Sequence, residues 1–65
     1  MSRRWIGASF RLSEDGTVVA VLAVRGLPTF VSVGVSEEAA FLDLVGKLGT
    51  KVRHVDVIGR KVIVG

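Results

Sequence analysis

The sequence predicts an α+β domain: a small, mainly antiparallel five-stranded sheet (β-β-β-α-β-β) with one helix packed on one face. Residues 18–24 are seven consecutive apolar residues, which is typical of a central strand covered on both faces. The pair Asp15-Gly16 precedes this run and predicts a tight hairpin. Residues 36–49 combine helical periodicity with helix-end signals, so one helix is expected.

The size of the chain limits what it can be. With 65 residues, we expect one domain spanning residues 1–65. Such a domain buries only about 60% of the surface of its unfolded chain and commonly depends on disulfides, a metal or a partner subunit. No cysteine and one histidine are present, which excludes a disulfide framework and predicts no metal site. Because 49% of the residues are hydrophobic, we expect a homodimer or higher oligomer.

Composition also bears on source and location. The heat-labile residues Asn, Gln and Cys are absent, which favours a thermophilic source, with an artificial or simplified sequence as the alternative. The first five residues are charged without a following apolar segment, and no run reaches the roughly 18 apolar residues of a membrane span. We therefore expect a cytoplasmic protein with no membrane partner.

The first two strands are expected over residues 3–12 and 17–24. The intervening residues fit a type I turn closed by a bulge, with Gly16 at the position that needs a positive φ. This turn chemistry predicts a hairpin.

The turn also predicts the register of that hairpin, provided that Ser13 pairs with Thr17. The apolar pairs would be Leu12 with Val18, Phe10 with Ala20, Ala8 with Leu22, and Ile6 with Val24. On the other face, Arg11 and Ser9 would lie beside Val19 and Val21. Trp5 would lie beside Arg25, where ring and cation can stack.

A third strand is expected over residues 29–35, because Pro28 interrupts the second. Three valines at alternate positions predict its core face. These are Val31, Val33 and Val35. Phe30 on the opposite face would then share the open surface with Trp5.

The helix signals are local and consistent. Ser36 is a suitable N-cap, acidic residues follow it, and Gly49 suits the position after the last turn. The apolar stripe consists of Phe41, Leu44, Val45 and Leu48. We expect about three turns of helix over one face of the sheet.

Two further strands follow, at residues 51–58 and 61–64. Gly59-Arg60 fits a two-residue type II′ turn between them. The last strand is strongly apolar, which leaves two alternatives. It pairs with a second subunit at an exposed edge, or it lies inside the sheet of its own chain.

No catalytic arrangement stands out. Gly46-Lys47-Leu48-Gly49 lacks the glycine spacing and the Ser or Thr of a phosphate-binding loop. His54 and Asp56 share one face of a strand, where a carboxylate could orient a general base. No nucleophile or second acid accompanies them, so we interpret the pair as an ion pair. We expect no enzymatic activity, no catalytic residues and no cofactor.

The order of elements resembles the first half of the ribonuclease H-like fold, three antiparallel strands followed by a helix and a strand. Acidic residues at residues 14–15, at Glu37 and Glu38, and at Asp56 follow a similar order. Residues 4–10 lack the aspartate that this family needs in its first strand for metal binding. The resemblance therefore does not imply its activity here.

The predicted open sheet face favours a small basic nucleic-acid-binding protein, acting as a homodimer. The net charge is +3, and two aromatic rings between arginines could stack bases and pair phosphates. The predicted contact residues are Arg3, Arg4, Trp5, Arg11, Arg25, Phe30, Arg53, Arg60 and Lys61. The pattern does not distinguish DNA from RNA.

The alternative is a structural or adaptor module. The same face would carry Val19, Val21 and Ala23, and large apolar patches commonly mark protein interfaces. In that interpretation the face binds a second copy or another protein, and the arginines form its rim.

Overall fold

The structure is a computed structural model that describes residues 4–65. Within these residues, six strands and one helix follow one another. They are β1 (Ile6–Gly7), β2 (Ser9–Leu12), β3 (Val18–Leu22), β4 (Phe30–Gly34), α1 (Glu37–Leu48), β5 (Val52–Asp56) and β6 (Lys61–Val64). A 3-10 turn, Gly49–Lys51, links α1 to β5.

The strands form two antiparallel three-stranded sheets, in the orders β1-β6-β5 and β2-β3-β4. The α+β class is confirmed, whereas the prediction of a single five-stranded sheet is wrong. The predicted first strand bends at Ala8, whose N–H donates to the Arg60 carbonyl at 3.0 Å. Its first part pairs with β6 and its second part with β3, so that Ile6 lies opposite Val62 instead of Val24. A strand that changes sheets forms the corner between them.

The β2–β3 hairpin confirms the predicted turn and register. The Ser13 N–H donates to the Thr17 carbonyl at 2.7 Å, and Gly16 has a φ of 89°. Phe10 lies opposite Ala20, as the turn requires. Local turn chemistry therefore determines the pairing up to the bend.

The helix begins and ends where its signals predict. The Ser36 Oγ accepts a hydrogen bond from the Ala39 N–H at 3.1 Å, and Gly49 has a φ of 59° at the C-terminal end. The fully buried side of α1 consists of Ala40, Phe41, Leu44 and Leu48. Its helical spacing places these side chains on one face, which packs on β3 and β4.

The side of β4 that faces the helix is the opposite of the predicted one. Ser32 is buried, whereas Val31 and Val33 are exposed. The reason is space. A Cβ at Gly34 would lie 2.4 Å from the Ala40 backbone nitrogen, so the helix backbone occupies the volume of a missing side chain. The Ser32 hydroxyl donates a hydrogen bond to the Ala40 carbonyl at 2.6 Å, so this buried polar group has a partner.

The last hairpin also differs from its prediction. Asp56 pairs with Lys61, which leaves a four-residue loop, residues 57–60, in place of a two-residue turn. Arg60, not Gly59, has the positive φ, at 53°. Strand β6 lies in the centre of its sheet, so the alternative of an internal last strand is the correct one.

One hydrophobic core joins both sheets to the helix. Val62 of β6 is fully buried with Leu22 of β3 and Phe41 of α1. Over residues 4–65, no helix is both long and apolar enough to cross a membrane.

Candidate functional site

The outer surface of the β2-β3-β4 sheet carries the most unusual feature of the molecule. Val19 lies opposite Val33 and Val21 lies opposite Val31, on the side of the sheet away from the helix. We call these four residues the valine face. Val31 and Val33 are 46% and 53% exposed. The solvent side of an antiparallel sheet is normally polar, so this surface departs from the expected alternation.

Polar residues border the valine face along β2. Arg11 lies opposite Val19, and Ser9 lies opposite Val21. Both are exposed. On the β4 side, the Lys47 Nζ donates to the Val31 carbonyl at 2.7 Å and lies 3.8 Å from the Asp43 carboxylate.

A second surface lies on the outer side of the β1-β6-β5 sheet. Trp5 is 43% exposed, and the Lys61 Nζ lies 5.4 Å from the centre of its ring. His54 shares this side by strand alternation, and the Arg53 side chain lies beside Gly65. We call Trp5, Arg53, His54 and Lys61 the Trp5 surface.

The predicted platform of two aromatics between arginines does not form. Phe30 lies opposite Leu22 and packs against the core from the helix side. Trp5 lies on the other sheet, beside Lys61 rather than Arg25. The split of the first strand separates the two rings.

Arg60 is engaged within its own chain. Its guanidinium donates to the Val57 carbonyl at 3.0 Å and lies 3.7 Å from the Glu37 carboxylate. It also lies 6.0 Å from the centre of the Phe10 ring. These contacts give Arg60 a structural role in joining the last loop to the helix and β2.

The remaining predicted arginines are dispersed. Arg11 borders the valine face, whereas Arg25 lies in the loop after β3. Arg4 is exposed and already interacts with another part of the chain. Arg3 lies outside the described residues.

Two of the acidic residues, Asp56 and Asp15, have local structural partners. The Asp56 carboxylate accepts from the Gly59 N–H at 2.9 Å and lies 3.9 Å from the Lys61 ammonium. Hydrogen bonds from the hydroxyl and backbone N–H of Thr17 lower the pKa of Asp15 from its ordinary value of 3.8. Within the part of the chain that the structure describes, no three Asp, Glu or His side chains gather as a metal site would require.

The sequence pattern does not reveal the composition of either surface. It predicts the valines of β4 in the core and Trp5 near Arg25, whereas the structure exposes these valines and places Trp5 beside Lys61. One sequence feature does indicate the side of β4 that faces the helix. Ser32 and Gly34 are two residues apart, so they share one side of the strand, and their small size leaves room for a closely packed helix. No known protein family, curated protein or solved structure matches this chain.

Proposed function

We propose that this protein is a non-enzymatic assembly module that binds a second copy of itself through the valine face. The observation that supports this proposal is the exposure of paired valines on a sheet whose other side already faces the helix. Exposed contiguous apolar surface is costly in water and commonly marks an interface. Two such sheets packed face to face would form a sandwich about 10 Å apart.

The strand edges favour assembly through the face over assembly through an edge. The Lys47 ammonium donates a hydrogen bond to the Val31 carbonyl at the outer edge of β4. On the other sheet, β1 has only two residues and the pairing of β5 shifts between Val52 and His54. Short edges, bulges and lysines are common protections against edge pairing.

The size of the face predicts weak association. The whole sheet that carries the valine face, with five residues along β3 and β4 and three strands across, spans roughly 16 Å by 14 Å, or about 230 Å² of flat footprint. A standard interface buries about 800 Å² on each partner. We therefore expect a dissociation constant on the order of 10 µM to 1 mM, unless the rim residues extend the contact.

Sedimentation equilibrium over a range of concentrations tests the proposal. The monomer has a mass of 6.9 kDa, so a dimer has twice that mass. Val33→Glu should weaken association at least tenfold, because it buries a charge in the interface. Leu42→Glu is the matched control, since Leu42 is 49% exposed on α1, away from the sheet.

The outcomes are distinct. Dimers that Val33→Glu abolishes and Leu42→Glu preserves would support the proposal. A monomer at millimolar concentration, or equal effects of the two variants, would contradict it. Circular dichroism of both variants should remain that of the wild type, since both residues are surface residues.

A second candidate function, nucleic-acid binding, is favoured by the Trp5 surface. A half-exposed indole beside Lys61, on a sheet that also carries Arg53, combines a stacking surface with cations for phosphate. The ligand would be single-stranded DNA or RNA, because an exposed ring reaches unpaired bases. Contacts from Arg11, Arg25 and Phe30 are not part of this proposal, because they lie elsewhere.

Tryptophan fluorescence tests this second function directly, since Trp5 is the only tryptophan. A short single-stranded oligonucleotide should quench the emission, and added salt should reverse the quenching. Arg53→Ala should weaken binding, whereas Arg25→Ala should not. Tryptophan emission that does not change when the oligonucleotide is added at low salt would refute nucleic-acid binding at Trp5.

A further inference from the structure

The β2-β3-β4 sheet and its helix have opposite charges at their two ends. One end holds the β2–β3 turn, with Glu14 and Asp15, and the start of α1, with Glu37 and Glu38. These are four of the six acidic residues of the chain. Strand pairing places them together, because Val18 at the turn lies opposite Gly34, just before the helix.

The opposite end is basic. Leu22 lies opposite Phe30 there, and the loop that joins these two strands carries Arg25. Helix α1 runs back along β4, so its last turn brings Lys47 to the Val31 carbonyl near this end. Lys51 follows the helix.

Several of these charges are available for a partner. Among residues 4–65, the side chains of Glu14 and Arg25 form no hydrogen bond or ion pair, and both are exposed. Other charges are engaged locally, since Asp15 is hydrogen-bonded to Thr17, and Arg60 partly neutralises Glu37. Glu14 and Arg25 therefore define the two ends most clearly.

We infer that two copies of the chain stack their valine faces with strands antiparallel, so that Glu14 of each copy meets Arg25 of the other. This inference rests on the proposed function and adds the orientation of the assembly. A two-fold axis that lies between the sheets and across the strands produces this arrangement. Each contact occurs twice, as an isologous interface requires.

The same axis gives a consistent set of contacts within the face. It places the row of Val19 and Val33 over the row of Val21 and Val31 of the second copy. Arg11 then meets Ser9 of the second copy, whose hydroxyl can accept a hydrogen bond. An axis along the strands would instead bring the two acidic ends together, and like charges would repel.

Distance measurement between spin labels distinguishes these orientations. The chain contains no cysteine, so Thr29→Cys, at an exposed residue near the basic end, provides one labelling site per copy and keeps both Glu14 and Arg25. With strands antiparallel, the two labels should lie about 20 to 25 Å apart, since about three residue steps separate Thr29 from the centre of the face. With strands parallel, they should lie about 10 to 15 Å apart, close to the spacing between sheets.

Charge reversal provides an independent readout of the same contact. Glu14→Arg or Arg25→Glu alone should weaken dimerisation roughly three- to tenfold, and the double variant should recover it to within about twofold. Arg53→Glu makes the same charge change as Arg25→Glu on the Trp5 surface, so it controls for net charge and should have little effect.

The two proposals fail in different ways. A dimer with a short label distance, or one that is insensitive to these reversals, would overturn the orientation and leave the assembly module intact. A wild-type chain that stays monomeric at millimolar concentration would overturn both. A distance of about 20 to 25 Å with recovery in the double variant would support the orientation.

Discussion

Replacing Gly34 by Ala should destabilise the fold through a clash with the helix backbone. The added Cβ would lie 2.4 Å from the Ala40 nitrogen and 2.8 Å from the Ala39 carbonyl carbon. Ordinary contacts of a Cβ begin at 3.4 Å, so the helix must move outward by about 1 Å. That movement also lengthens the hydrogen bond from the Ser32 hydroxyl to the Ala40 carbonyl, which is 2.6 Å in the wild type.

The expected cost is about 2 to 3 kcal/mol of unfolding free energy. Overpacking a tight contact costs about 1 to 3 kcal/mol, and the weakened Ser32 hydrogen bond adds about 1 kcal/mol. The lower entropy of the unfolded alanine chain returns about 0.4 to 1 kcal/mol. For a domain of this size, the loss corresponds to a fall in Tm of roughly 8 to 24 °C.

Thermal and urea unfolding, followed by circular dichroism, measure this loss. Gly46→Ala is the matched control, because Gly46 lies within the helix with nothing near its Cβ position. That variant should gain about 0.5 to 1 kcal/mol from helix propensity. The reasoning is refuted if Gly34→Ala melts within about 2 °C of the wild type, or if both variants change stability in the same direction.

Substitutions at three other positions each test a single structural feature. Ser32→Ala should cost about 1 kcal/mol in urea unfolding, since a buried hydrogen bond is lost; an unchanged midpoint would contradict this role. Arg60→Gly should retain about 1 kcal/mol more stability than Arg60→Ala, because the φ of 53° strains alanine; equal stabilities would argue against strain there. Asp15→Ala should be less stable than the wild type at pH 7, because the Thr17 hydrogen bonds lower the folded-state pKa of Asp15. This stability difference should shrink as the pH falls below about 3.8, since protonation of Asp15 removes the stabilisation that its carboxylate provides. A difference between Asp15→Ala and the wild type that does not change with pH would count against the Thr17 contacts.

The sequence by itself determined the local structure. Asp15-Gly16 specifies a turn that only a glycine with positive φ completes easily, and this turn sets the pairing of Phe10 with Ala20. Ser36 and Gly49 define the two ends of the helix through hydrogen bonds to nearby backbone. Each signal acts within a few residues, so it does not depend on the rest of the fold.

The tertiary structure decided which side of each strand is buried and which residues share a surface. In β4, alternation defines two sides, and hydrophobicity favours the side with Val31 and Val33. The helix packs on the other side because Ser32 and Gly34 leave room for its backbone. The bend at Ala8 similarly carries Trp5 to the second sheet and away from Phe30. Packing volume and long-range pairing act between distant segments, so the composition of both candidate surfaces emerged only from the folded chain.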